Sequence, residues 1–152
     1  MDAVAYPDPA VIQFITDNFV PVRIPADDRV LGPQFRVKWT PLLLILDAEG
    51  VEHYRTLGFY PPEDLIPSLL LGMGKAHFDR AARPVASACF TRIINEFPKH
   101  ALAPEAIYLN GVSGYIETHD VAHLIGIFDK LSADYPESPW VTRADPYRLL
   151  KK

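Results

Sequence analysis

As far as Leu71 the chain alternates short apolar runs with turn residues. From Gly72 onward its apolar positions recur with a period near 3.6. Asp8-Pro9 predicts a helix start, because an aspartate caps free N–H groups and proline suits the first helical position. Val11, Ile12, Ile15 and Phe19 then form an apolar stripe. Phe19 to Ile24 reads as a strand, with Pro21 placing it at an edge or a strand start. After the polar break Ala26-Asp27-Asp28, a short helix is predicted from Val30 to Phe35, although Gly32-Pro33 makes an awkward interior. Leu42 to Leu46 is a continuous apolar run that suits a strand buried on both faces. Asp47-Ala48-Glu49-Gly50 is a tight turn, and Val51 to Leu57 is the returning strand. Pro61-Pro62-Glu63-Asp64 opens a helix that closes this half at Leu71. Gly72-Met73-Gly74 is the expected hinge, giving an α+β part over 1–71 and an all-helical part over 72–152.

The helical part contains an internal repeat. Phe90 to Pro98 resembles Phe128 to Pro136, and aligned positions are 38 residues apart, as are Ala106 and Ala144. Helices ended by an aromatic-Pro pair at a fixed period resemble tetratricopeptide hairpins, whose period is about 34 residues. Pro104 to Tyr115 fits the first helix of such a unit, where Gly111 would let a neighbouring helix approach closely. The period is long for that family, and Leu124 stands where a small residue is expected. A plain helical bundle is the alternative organisation.

Composition removes several function classes. The 152 residues carry 15 Lys+Arg against 19 Asp+Glu, a net charge of −4, without the basic surplus that displaces counterions from nucleic acid. A membrane-spanning helix needs about 20 apolar residues. The longest apolar stretches are Leu42 to Leu46 and Leu65 to Leu71, and Pro67 interrupts the second. No signal peptide is visible, since Met1-Asp2 places an acid where a basic segment belongs. As written the chain is expected in the cytoplasm, or in the periplasm if its start is truncated. Cys89 is the single cysteine, so no intramolecular disulfide or multi-cysteine metal site can form. Its spacing from Ala86, Phe90, Ile93 and Phe97 predicts a buried, inert thiol. His119-Asp120-Val-Ala-His123 has the i, i+4 spacing of a helical zinc site. It falls where a hairpin turn is expected, however, with Asp120 as the cap of the next helix. No metal, cofactor or catalytic triad is expected.

The order of motifs in the first half carries a more specific likeness. Phe35-x-Val37, Thr40-Pro41, Leu42 to Leu46, Asp47-x-x-Gly50, Gly58 and the closing amphipathic helix occur in the sequence of the C-terminal two-thirds of a thioredoxin domain. Residues 1–71 are thus identified as resembling the thioredoxin-like family, with an incomplete sheet. The resemblance implies a cis bond before Pro41. It also implies that Thr40, Pro41 and Trp39 present backbone and side chain to an extended polypeptide. Phe59 and Tyr60, with Tyr6, are candidates for a groove beside them, or for covering the remnant of the sheet. Leu42 departs from the threonine that often follows this proline in the family.

The family's C-x-x-C pair is missing, and Met1-Asp2 resembles the position just past it. Dithiol exchange needs a low-pKa thiolate and a resolving thiol, and these residues supply neither. The expected function is a redox-inactive thioredoxin-like interaction module that binds polypeptide or self-associates as a homodimer or higher oligomer. The alternative is a truncated thiol-disulfide oxidoreductase whose C-x-x-C lies upstream of Met1. Loss of the strand between Phe19–Ile24 and Leu42–Leu46 would leave unpaired edges that invite pairing with a second chain.

Overall fold

In the computed structural model, which describes residues 1–151, the chain is mostly helical with one small antiparallel sheet, an arrangement compatible with the α+β class. It divides into two units, Met1–Ile66 and the residues from Pro67 onward.

Helix α1, Pro9–Asn18, starts where Asp8 Oδ1 accepts from the backbone N–H groups of Ala10 (2.9 Å) and Val11 (3.2 Å). Val11 and Phe14 are its buried residues, while Ile12 is 51% exposed, so the inward stripe is narrower than the sequence suggests. The predicted strand Phe19–Ile24 does not form. The segment belongs to no helix or ladder, and Val20 and Val22 are 90% and 77% exposed. An apolar alternation becomes a strand only when another strand satisfies its backbone, and none among the described residues does. Helix α2 is a single turn, Leu31–Gln34, started by Asp28 Oδ1, which accepts from Val30 N (2.9 Å) and Leu31 N (2.7 Å).

Strands β1, Leu42–Leu46, and β2, Glu52–Leu57, pair antiparallel. Between them Asp47 Oδ1 accepts from Glu49 N (3.1 Å) and Val51 N (2.8 Å), and Gly50 takes φ 82°, a conformation glycine adopts without a steric penalty. β1 is not buried on both faces: Ile45 is its buried residue, Leu42 to Leu44 are half-buried and Leu46 is exposed. One strand pair cannot cover a run this apolar.

Helix α3, Pro62–Asp79, passes unbroken through Gly72-Met73-Gly74. The expected hinge is therefore helical. Gly74 serves packing: a Cβ there would lie 2.5 Å from Cε1 of Phe90, so the glycine admits the ring.

The second unit continues with α4, Arg83–Glu96, α5, Ala103–Thr118, α6, Ala122–Asp134, and α7, Pro139–Ala144, and then a 3₁₀ helix, Asp145–Leu150. Its neighbouring helices pack in chain order, α4 on α5 and α5 on α6. The 38-residue period survives in three dimensions. Ala86, Cys89 and Ile93 are buried on α4, and Leu124, Ile127 and Leu131 are buried at matching positions on α6. Phe97 and Tyr135 end these helices with nearly the same backbone, φ −129°, ψ 48° and φ −140°, ψ 54°. A Cβ on Gly111 would overlap the Ile127 side chain and lie 3.1 Å from the His123 carbonyl oxygen. The glycine thus allows α5 and α6 to approach closely. Tyr108, Trp140 and Tyr147 cap the cluster around Ile107 and Leu131, with ring centroids 5.1 Å and 5.9 Å from Tyr108.

Candidate polypeptide-binding edge

The candidate site is built on the free edge of β1 and the loop leading into it. Pro41 O accepts from Gly58 N (2.9 Å), and the register sets Leu42 opposite Leu57, Leu43 opposite Thr56 and Leu44 opposite Arg55. Antiparallel ladders alternate hydrogen-bonded pairs with non-bonded ones. Leu42 and Leu44 fall in the non-bonded pairs, so their N–H and C=O groups point away from β2. Among the described residues no strand meets them there.

The loop before β1 is anchored from β2. Arg55 Nη2 donates to Phe35 O (2.7 Å), and the same guanidinium pairs with Glu52, its Nε donating to Oε1 (2.7 Å) and its Nη2 to Oε2 (2.6 Å). Glu52 is held below the usual carboxylate range, first by that hydrogen bond and then by the charge of Arg55 and Arg36. The Thr40–Pro41 bond is cis. Trp39, 70% exposed, and Thr40 line an open trough of about 320 Å³ with Ala26, Val37 and Lys38.

The site residues expected from the sequence are therefore partly assembled. Thr40 and Trp39 share the trough, and Pro41 connects it to β1. Phe59, Tyr60 and Tyr6 do not line it. Phe59 is exposed beyond the end of β2, and the Tyr60 hydroxyl is hydrogen-bonded to Thr56 Oγ1. Lys38 is a lining residue that motif reasoning missed, and Val37 was read only as part of Phe35-x-Val37 and not as lining; their proximity to the recognised Thr40-Pro41 pair was the available signal.

A second feature escaped the sequence pattern altogether. Pairing passes from Ile45–Tyr54 to Leu46–Glu52, leaving His53 in a bulge. His53 Nε2 lies 3.0 Å from Asp47 Oδ2, with both side chains largely buried. The hydrogen bond to His53, followed by that from Val51 N, holds the Asp47 carboxyl below its ordinary range.

Elsewhere the candidate chemistry is quiet. Cys89 is 4% exposed, and burial pushes its thiol up, against a smaller opposing effect of Arg92. His119 is the left-handed C-cap of α5 (φ 57°), its N–H donating to Tyr115 O, whereas His123 lies on α6 with its ring against Gly114. The two imidazoles thus belong to different elements. Asp120 Oδ1 accepts from Ala122 N (2.8 Å), which supports the first turn of α6. Among the described residues no three His, Cys, Asp or Glu side chains gather as a metal-binding group, and no helix is long and apolar enough to cross a membrane. Burial and the hydrogen bond to Tyr108 push the Tyr147 phenol up to about 12, so it stays protonated at neutral pH. No protein-family description, characterised protein or solved structure matches the chain.

Proposed function

We propose that this chain is a redox-inactive, thioredoxin-like protein-interaction module that holds an extended polypeptide against the free edge of β1, a second copy of the chain being the simplest partner. The observation that carries the reading is the edge itself. Leu42 and Leu44 direct unpaired backbone donors and acceptors to one side of a strand that is only partly covered. An added strand would satisfy those groups and cover the leucines, the physical basis of strand-addition recognition. Trp39 and Thr40, at the entrance to the edge, would meet the incoming chain. The order of elements around Thr40-Pro41 supports the thioredoxin-like reading. The matched burial on α4 and α6 supports reading the second unit as tetratricopeptide-like hairpins.

Sedimentation across micromolar concentrations tests the proposal. The 17.1 kDa chain should sediment as a dimer, or bind an extended β-forming peptide, with a melting temperature that rises with concentration of the partner. Leu44→Pro removes an N–H directed to the free edge, where proline is tolerated, and should abolish association while leaving the far-ultraviolet circular dichroism unchanged. Leu42→Lys places a charge on the same edge and should act alike if Leu44→Pro disturbs folding. A strict monomer that binds no extended peptide overturns the reading.

A further inference from the structure

The loop that leads to β1 also concentrates charge. Among the described residues, four basic side chains make no ion pair, side-chain hydrogen bond or ring contact: Arg29, Arg36, Lys38 and Lys99. Three of these, Arg29, Arg36 and Lys38, line one open cleft of about 430 Å³ beside α2. This cleft shares Ala26, Val37 and Lys38 with the trough at Trp39 and Thr40, so the two form one continuous channel toward β1. Basic side chains elsewhere are largely neutralised by acids, as in Lys75–Glu105, Arg92–Glu96 and Lys130–Asp134. On a chain of net charge −4, three of those four cations, Arg29, Arg36 and Lys38, gather at the approach to the candidate site, although the charge of Arg36 also acts on Glu52 from beyond ion-pair distance.

Two acids line the same cleft. Asp28 is committed to the N–H groups of Val30 and Leu31, which keep its carboxyl below the ordinary range. Asp27 lies on the cleft wall without taking up any of the three cations as an ion pair. The three cations remain available to a ligand.

From this placement we infer that the polypeptide held at the β1 edge carries an acidic segment, which lies in the channel along Arg29, Arg36 and Lys38; the inference rests on the polypeptide-holding reading above. Carboxylates on the partner would meet unpaired cations on one side of the chain, while the backbone of its continuing segment pairs with Leu42 and Leu44. Rim charges of this kind contribute orientation and selectivity more than raw affinity. They therefore set which extended polypeptide is preferred and its direction of entry. A polyphosphate backbone is the poorer match, because the lining also presents Asp27 and Asp28 and the chain as a whole is acidic.

Fluorescence anisotropy with the full chain tests this, using three extended β-forming peptides that differ only in half of the sequence: neutral, Glu-substituted or Lys-substituted. At low salt the Glu peptide should bind about tenfold tighter than the Lys peptide, as expected for three exposed charge pairs. The difference should collapse near 1 M salt, where the screening length is about 3 Å. Arg29→Glu and Arg36→Glu together replace exposed side chains that line the cleft and not the Trp39–Thr40 trough. That variant should reverse the preference and leave affinity for the neutral peptide unchanged. Equal binding of all three peptides overturns the acidic preference and leaves the polypeptide reading standing. Failure of every peptide to bind overturns the inference, and it overturns the polypeptide reading as well when the chain also sediments as a strict monomer. Displacement of the Glu peptide by a single-stranded oligonucleotide of equal charge, more strongly than by the free Glu peptide, assigns the channel to nucleic acid and overturns the inference.

Discussion

One carboxylate, that of Asp47, joins the β1–β2 turn to the bulge. One oxygen accepts from two backbone N–H groups, and the other faces His53. Because its folded-state pKa is depressed, Asp47 contributes stability that is fully present above the ordinary aspartate value of about 3.9. That contribution is lost as pH falls through the lower folded value. His53→Ala removes the largest influence on the Asp47 carboxyl and leaves the N–H groups of Val51 and Glu49 in place. Its carboxyl resonance should then titrate closer to the ordinary range but remain below it, and the melting temperature should fall less than the parent's between pH about 5 and about 3. A carboxyl titration unchanged by His53→Ala would refute the coupling. The Asp-x-x-Gly turn was legible from residue types alone. His53 was not, because only the bulge turns it toward Asp47.

Glycines separate local preference from packing at the scale of elements. Gly111 and Gly126 both lie inside helices, where alanine is intrinsically favoured by about 1 kcal/mol. A Cβ at Gly126 meets nothing within 4 Å, so Gly126→Ala should stabilise the protein by about 0.5–1 kcal/mol. A Cβ at Gly111 runs into Ile127 and approaches the His123 carbonyl, so Gly111→Ala should destabilise by about 1–3 kcal/mol. Urea denaturation of the two variants checks the opposite signs. The role of Gly111 was legible because the 38-residue repeat located the facing helices. The helical state of Gly72-Met73-Gly74 was not, because burial of Leu69, Leu70 and Leu71 and the fit of Gly74 against Phe90 outweigh a local glycine penalty. Phe19–Ile24 failed in the opposite sense. Its alternation is that of a strand, but pairing depends on a neighbour that no local window contains.

For the whole molecule, charge was legible as a total and not as a distribution. The spacings of Arg92–Glu96 and Lys130–Asp134 foretell ion pairs four residues apart on a helix. Arg29, Arg36 and Lys38 have no acid at that spacing, but that no carboxylate from farther along the chain forms an ion pair with them appears only when every carboxylate has been placed. Trp39 and Thr40 were legible through the motif order, whereas the rest of the trough lining and its continuation beside α2 depended on how the loop folds back. The unpaired segment after α1 has a further consequence, for proteolysis. Proteases take their substrates as stretches of backbone without internal hydrogen bonds, and exposed segments of this kind are cut first. Arg23 lies in such a stretch, its side chain highly exposed and its backbone in no helix or ladder. Brief trypsin treatment should therefore first release a fragment ending at Arg23, before any cut at Arg92 or Lys130 within the helices, and mass spectrometry of the earliest products would show the order.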